Sequence, residues 1–325
     1  MNLTIKLHDY RKSLTTYGNR DIPITINSEL KSENIFSKTP IQKVSLLGKQ
    51  FYAKLECLLP LTGVKDRLSY YIVQQALKYG IRWIVDATSG RYGLSLAYLA
   101  ASVNIGTVLY VERESPPSLI RLLSKTEAHL YTLPHGMKVA SSSRFLKERA
   151  YKIGPKSWAP CQALPEWSNV YAQGLAIELR EQIPHSRFRV FVPSATGNLA
   201  SGLKQALTNC SVHGISNIEL PSLWQFIRFR TVFEWVFRHV PTGKLSRMTT
   251  FAALQAKDEL NEIPIVILLT DCNFSHLRET FTNIRRNCSD ISENLPMEIQ
   301  NSFHFDLLKM ERTGLYNLHW GNWLT

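Results

Sequence analysis

The chain has 325 residues, 44% of them hydrophobic, enough to bury the core of one large or two medium domains and too apolar for a disordered protein. No apolar run approaches the roughly 18–20 residues that span a bilayer, and the start, "MNLTIKLHDYRKSL", lacks the apolar core of a signal peptide, so the cytoplasm is the expected place. The 38 basic residues against 26 acidic ones give a net charge of +12, which favours anionic partners without choosing among nucleic acid, a membrane surface and a phosphorylated cofactor.

Residues 1–38 are polar and irregular and read as an arm leading into the core. "TPIQKVSLLGKQFYAKLECLLP" offers two short alternating stretches around Gly48, which predicts a hairpin closed by a turn at Pro60–Gly63. From Asp66 to Tyr79 the apolar positions Leu68, Ile72, Val73, Ala76 and Leu77 recur at helical spacing, and Gly80 marks the stop. Strand and helix then alternate to residue 133: "WIVDATSG", "LSLAYLAASVNIG", "TVLYVE", "SPPSLIRLLSKTE" and "AHLYTL". That alternation predicts a parallel sheet with helices on its faces.

Helices are expected over 136–152 and 169–183, and "FRVFVP" reads as a strand running through "SATGNLASG" into a helix that ends near residue 208. Residues 221–240, "PSLWQFIRFRTVFEWVFRHV", interleave arginine with aromatics. A basic aromatic helix suits a nucleic-acid or membrane contact, but the rings lie on several faces, and a buried or subunit-interface helix is the preferred reading. "IPIVILLTD" at 263–271 reads as a buried strand, and the last 50 or so residues are mixed and polar. The five cysteines, Cys57, Cys161, Cys210, Cys272 and Cys288, stand singly with no CxxC pair and no histidine at ligand spacing, so they read as buried free thiols, and no metal is expected.

Three turns that lead into helices could carry chemistry. In "TGVKDR" a lysine sits at a helix N-terminus, where the dipole favours the neutral amine, the form that attacks an aldehyde. "DATSGRYG" at 86–93 offers hydroxyls and N–H groups suited to a carboxylate, and "VPSATGNLASG" at 192–202 has the small side chains that let a phosphate approach the backbone. Taken singly, the lysine reads better as a solvated surface charge, and a Ser/Gly helix cap and a structural turn explain the other two equally well.

In this order and at these separations the segments resemble the tryptophan-synthase-like (fold type II) pyridoxal-phosphate enzymes, closest to cysteine synthase and cystathionine beta-synthase. "YAKLECLLPLTGVKDR" resembles that family's "YAKLE..NPGGSVKDR", "TP" at 39 and 40 its "NTPLV", and "ATSGRYGLSLAYLAA" its "PTSGNTGIALA". "HGMKVASSSRFLKERA" is similar to "GMKGAI.KA", and "VFVPSATGNLASG" sits where the family has "GTGGTITG". The likeness covers roughly residues 38–205.

It implies an α/β fold of two three-layer domains with mostly parallel sheets. The larger, cofactor-binding domain would take in 39–80 and 153–325, after the 1–38 arm, with a smaller inserted α/β domain at 81–152. It implies pyridoxal 5'-phosphate bound through a Schiff base to Lys65, the catalytic residue. Ala195, Thr196, Gly197, Asn198 and Leu199 would form the phosphate loop. Thr88, Ser89, Gly90 and Tyr92, with Gln162 as a helper, would hold the substrate's carboxylate. "GKLSRMTTFAALQAK" is similar to "GISSGAAVAAAL" and would set Ser246 opposite the pyridine nitrogen.

Some positions depart from the family pattern. Arg91 replaces the asparagine that contacts the cofactor's 3' oxygen, and Tyr92 replaces a threonine; Arg91 could donate to the cofactor, grip a second anionic group on the substrate, or equally fill the site. Ala195, Asn198 and Leu199 replace small or hydroxylated residues of the phosphate loop, and the stretch from there to Ser246 is shorter than the family's. The implied activity is β-replacement or β-elimination on a serine- or cysteine-derived amino acid by a cytoplasmic homodimer. The rival readings are a non-catalytic relative that binds a partner protein or small ligand, and a nucleic-acid-binding protein that uses the +12 charge; nucleic acid is not the expected partner.

Overall fold

The structure, a computed structural model, describes residues 38–272 except 60, 217–228, 231, 235, 238–239, 241 and 257–262. The 1–38 arm, save its last residue, the polar C-terminal stretch and Cys288 lie outside the described residues. The described chain divides into two compact units, one holding 38–68 and 165–272, the other Ser69–Leu164. Their boundary falls inside helix α1 (Lys65–Lys78).

In the first unit, β1 (Ile41–Leu46) and β2 (Lys49–Lys54) form the expected hairpin. Leu47 and Gly48 both take positive φ, 49° and 83°, the conformation of a two-residue turn whose twist matches its strands. β2 pairs in parallel with β9 (Ile265–Leu268), β9 with β7 (Arg189–Pro193), and β7 with β8 (Ser211–Ile215). The sheet order is β1-β2-β9-β7-β8. β9 is buried at every residue, as a strand covered on both faces must be.

Val44, Leu46, Phe51 and Ala53 join Phe229, Phe233, Phe237 and Phe251 in one core. Phe229, Phe233 and Phe237 recur every four residues, and their ring centroids lie 5.5 and 4.7 Å apart in sequence order. This part of the aromatic segment is therefore core. The helix expected over 169–183 is two helices, α5 (Ser168–Gln173) and α6 (Leu175–Gln182), broken at Gly174. The unit also holds α7 (Asn198–Ala206) and α8 (Lys244–Gln255). Gly202 of α7 meets the Ser168 carbonyl so closely that a Cβ would collide with it.

The second unit is built on a four-stranded parallel sheet, order β5-β4-β3-β6. Its strands are β3 (Trp83–Thr88), β4 (Gly106–Val111), β5 (His129–Thr132) and β6 (Ser157–Trp158), packed with α2 (Arg91–Ala101), α3 (Pro117–Leu123) and α4 (Ser143–Ile153). The α/β class with mostly parallel sheets is thus the observed one. Sequence periodicity gave no sign of β6 or β8: β6 has two residues, and β8 is an edge strand that buries only Val212.

Cys57, Cys161 and Cys272 are buried and Cys210 half-buried, all free. Among the described residues no His/Cys/Asp/Glu group could hold a metal, and no helix is long and apolar enough to cross a membrane.

Candidate active site

Lys65 opens α1 at the end of a turn that Asp66 holds in shape. The Asp66 carboxylate accepts from the Leu61 N–H at 2.9 Å, the Thr62 N–H at 3.0 Å and the Thr62 hydroxyl at 2.8 Å. Asp66, an acid in the first turn, complements the helix dipole, which disfavours a cation beside it at Lys65. The Val64 N–H donates to the Thr270 carbonyl at 2.9 Å, and Gly63, at φ 105°, bridges to Asp271. Lys65 is half-buried, with no ion pair or hydrogen bond to its amine among the described residues. Burial alone pulls its pKa down to about 8.

Beneath this turn lies a buried ion cluster. Lys54 Nζ donates to Glu178 at 2.6 Å, to Gln182 at 2.6 Å and to the Thr39 carbonyl at 2.7 Å. Arg67 reaches Glu56 through Nε at 2.7 Å and Glu178 through Nη1 at 2.7 Å. Burial opposes ionisation of Glu56, but the Arg67 guanidinium outweighs it and holds the carboxyl low. Two cations face two carboxylates, so the cluster is neutral. "YAKLE" and "KDR" therefore owe Lys54, Glu56 and Arg67 to the scaffold that seats Lys65. Sequence reasoning missed this role: Lys54 closes a strand that also carries Lys49 and Gln50, so nothing local set it apart as buried.

β2, β9 and β7 are adjacent and parallel, so their carboxyl ends share one edge of the sheet, where open α/β sheets bind ligands. After β7, Ala195 is exposed, Thr196 and Gly197 are half-buried, and Gly197 takes φ 86°. α7 begins there with no side-chain cap, an arrangement that suits an anion. Asn198 and Leu199 are buried, so neither large residue crowds the loop from solvent. After β9 comes Asp271, which accepts from the Leu245 N–H at 3.1 Å, the Ser246 N–H at 2.7 Å and the Ser246 hydroxyl at 2.6 Å. Ser246 is thus placed by Asp271, a residue sequence reasoning missed and whose signal was an acid at the end of a buried strand. Within this unit Lys65, the 195–199 loop and Ser246 all belong to the same edge.

The second unit gathers the other predicted residues at the end of β3. Thr88 is buried; its Oγ1 accepts from the N–H groups of Gly90 at 2.9 Å and Gly93 at 3.0 Å, so it shapes the loop. Ser89 is exposed, and Gly90 is buried at φ 147° with Leu119 where a Cβ would stand. Arg91 starts α2, half-buried. Tyr92 is turned inward: its hydroxyl donates to Asp86 Oδ2 at 2.7 Å. The Gln162 N–H donates to the same Asp86 oxygen at 3.1 Å, and Gln162 Nε2 donates to the Ala87 carbonyl at 2.9 Å. Within residues 88–92, Ser89 alone is exposed.

The chain is 25% identical over 198 residues to a cysteine synthase of Helicobacter pylori (strain J99), covering 56% of this chain and 65% of that one. It is 26% identical over 206 residues to a probable cysteine synthase of Bacillus subtilis (strain 168), covering 58% and 66%. It therefore spans less than two thirds of either relative's length. The fold resembles that of an O-acetylserine dependent cystathionine beta-synthase from Helicobacter pylori, with a TM-score of 0.61, 20% identity and coverage of 78% and 97%. It also resembles O-acetyl serine sulfhydrylase isoform 3 from Entamoeba histolytica, with a TM-score of 0.59, 19% identity and coverage of 78% and 91%.

The family described as pyridoxal-phosphate dependent enzyme matches residues 33–234, well over half of the chain. The donor set fits that cofactor: an amine without a counter-ion suits its aldehyde, and the uncapped start of α7 suits its phosphate. With the family match, the parallel-sheet fold and this donor set in agreement, the chain belongs to the pyridoxal-phosphate dependent enzymes.

Proposed function

We propose that the chain catalyses β-replacement or β-elimination on a serine- or cysteine-derived amino acid. The observation that carries this reading is Lys65, an amine held in a glycine turn with no counter-ion among the described residues and a pKa drawn down to about 8. Pyridoxal phosphate, when bound, supplies the electron sink that makes the substrate's α-hydrogen acidic. Lys65 would hold the cofactor through Nζ, and as a neutral amine it would take the substrate's α proton on that atom.

The backbone of Ala195–Leu199 and the start of α7 would hold the phosphate. Ser89 and the start of α2 at Arg91 bind the substrate's carboxylate, in a loop that Thr88 shapes by taking the Gly90 and Gly93 N–H groups. Arg91 supplies a fixed cation at the start of α2 for the cofactor's 3' oxygen or a second anionic group on the substrate. Asp271 spends its carboxylate on the start of α8 and on Ser246, so Ser246, rather than an acid, would be the group set toward the cofactor's ring nitrogen, as a neutral hydroxyl. A cytoplasmic homodimer is part of the same reading, supported by the likeness of the motifs over residues 38–205.

The test is the visible absorption band that purified protein gains with added pyridoxal phosphate, together with a rise in melting temperature. Lys65→Ala abolishes the band. The loaded protein is then assayed with O-acetyl-L-serine and sulfide; absence of both the band and the melting shift overturns the reading. Sedimentation at about the mass of two chains checks the dimer.

A further inference from the structure

Asp86 carries no catalytic role in the reading above, yet three donors from separate places converge on it. It is fully buried within β3, two residues before its end, and no cation pairs with it among the described residues. Its oxygens accept from the Ala87 N–H at 2.8 Å, the Gln162 N–H at 3.1 Å and the Tyr92 hydroxyl at 2.7 Å. These donors come from three places: β3 itself, the segment after β6, and the first turn of α2. Tyr92 and Gln162 thus tie both neighbours of the 88–91 loop to one group, and Gln162 Nε2 adds a bond to the Ala87 carbonyl.

The segment after β6 is also strained to reach this position. Cys161, next to Gln162, takes φ 56°, a left-handed conformation that a side chain disfavours. Burying an unpaired carboxylate is costly, and burial pushes the Asp86 pKa up to about 7. A chain that needed only a filled core would place an apolar residue here. The geometry instead supplies two donors from outside β3, each fixing one side of the loop.

We propose that Asp86 is a positioning residue that, through Tyr92 and Gln162, sets the 88–91 loop in the geometry that receives the carboxylate of an amino-acid substrate. The idea rests on the proposed reading that this loop binds that carboxylate. Asp86 touches neither substrate nor cofactor; it acts on how well the loop's N–H groups are aimed before substrate arrives. Losing the Tyr92 bond should therefore raise KM and leave kcat nearly alone, because the proton chemistry belongs to Lys65.

The experiment compares wild type with Tyr92→Phe, Asp86→Asn and Ser89→Ala, each loaded with pyridoxal phosphate. L-serine is the probe, and its affinity is read from the change in the visible spectrum. Tyr92→Phe removes one hydroxyl and keeps the ring, so it tests the bond even if Asp86→Asn does not fold. The expected result is an affinity for L-serine about tenfold weaker in Tyr92→Phe, with kcat within about twofold of wild type. In the cofactor-free protein, amide hydrogen exchange over residues 87–93 should quicken by about tenfold.

The proposal is overturned if Tyr92→Phe keeps wild-type L-serine affinity and amide exchange while Ser89→Ala weakens L-serine. It is also overturned if Tyr92→Phe lowers kcat and leaves KM unchanged. If Ser89→Ala too leaves L-serine affinity unchanged, the carboxylate reading of the loop falls, and this proposal falls with it.

Discussion

Gly63 packs against Thr270 so closely that a Cβ at residue 63 would collide with the Thr270 carbonyl oxygen, and the same residue takes φ 105°. The turn that presents Lys65 is thereby docked on the segment that follows β9. Gly63→Ala meets both a steric and a conformational penalty, and the expected cost is about 2–4 kcal/mol. Because Val64 and Lys65 follow directly, cofactor uptake should weaken in the protein that remains folded. Urea unfolding gives the first quantity and titration with pyridoxal phosphate the second.

The cluster of Lys54, Glu56, Arg67 and Glu178 predicts a particular non-additivity. Glu178→Gln leaves buried cations with one carboxylate between them and should cost about 3–5 kcal/mol. Lys54→Met together with Glu178→Leu removes one charge of each sign and should cost clearly less than the sum of the single changes. A double-mutant cycle by denaturant unfolding measures the difference, and additivity would show that the charges act independently.

Local chemistry made part of this molecule legible before any coordinates. Gly48 marked the β1–β2 hairpin, the apolar run "IVIL" marked β9, and Gly80 ended α1, because each signal lies within a few residues of what it determines. The partners that build the site were not legible. Glu178 is 111 residues from Arg67, Gln162 is 76 from Asp86, and Asp271 is 25 from Ser246. Sequence could nominate Thr88 and Tyr92 as binding residues, but only the fold shows that Thr88 caps its own loop and that the Tyr92 hydroxyl faces inward. The short β6 and the edge strand β8 left too few buried residues to make a pattern.

Asp86 makes stability depend on pH in the direction opposite to a paired carboxylate. Burial raises its folded-state pKa to about 7, against roughly 3.9 in the unfolded chain, so between these values the folded protein holds the proton more tightly. Its contribution is fully present below about pH 4 and is lost as pH rises towards 7, an effect on the order of 2–4 kcal/mol. Asp86→Asn should remove that decline. Chemical denaturation of wild type and variant at intervals across this window gives a difference curve, and parallel curves would refute the assignment.

Lys65 should govern how fast the protein takes up its cofactor. The attacking species is the neutral amine, and burial holds the folded-state pKa near 8, below the roughly 10.4 of an exposed lysine. Below pH 8 the neutral fraction falls about tenfold per unit, so the rate at which the visible band forms should climb with pH up to about 8 and level off above it. The same shift bears on folding. Between about 8 and 10.4 the unfolded chain binds more protons at this position than the folded one, so the cofactor-free protein should gain stability across that window. Lys65→Met should lose both dependences and Lys65→Arg should take up no cofactor at any pH. A band whose formation rate still rises tenfold per unit above pH 9 would show that Lys65 has the pKa of an ordinary exposed lysine.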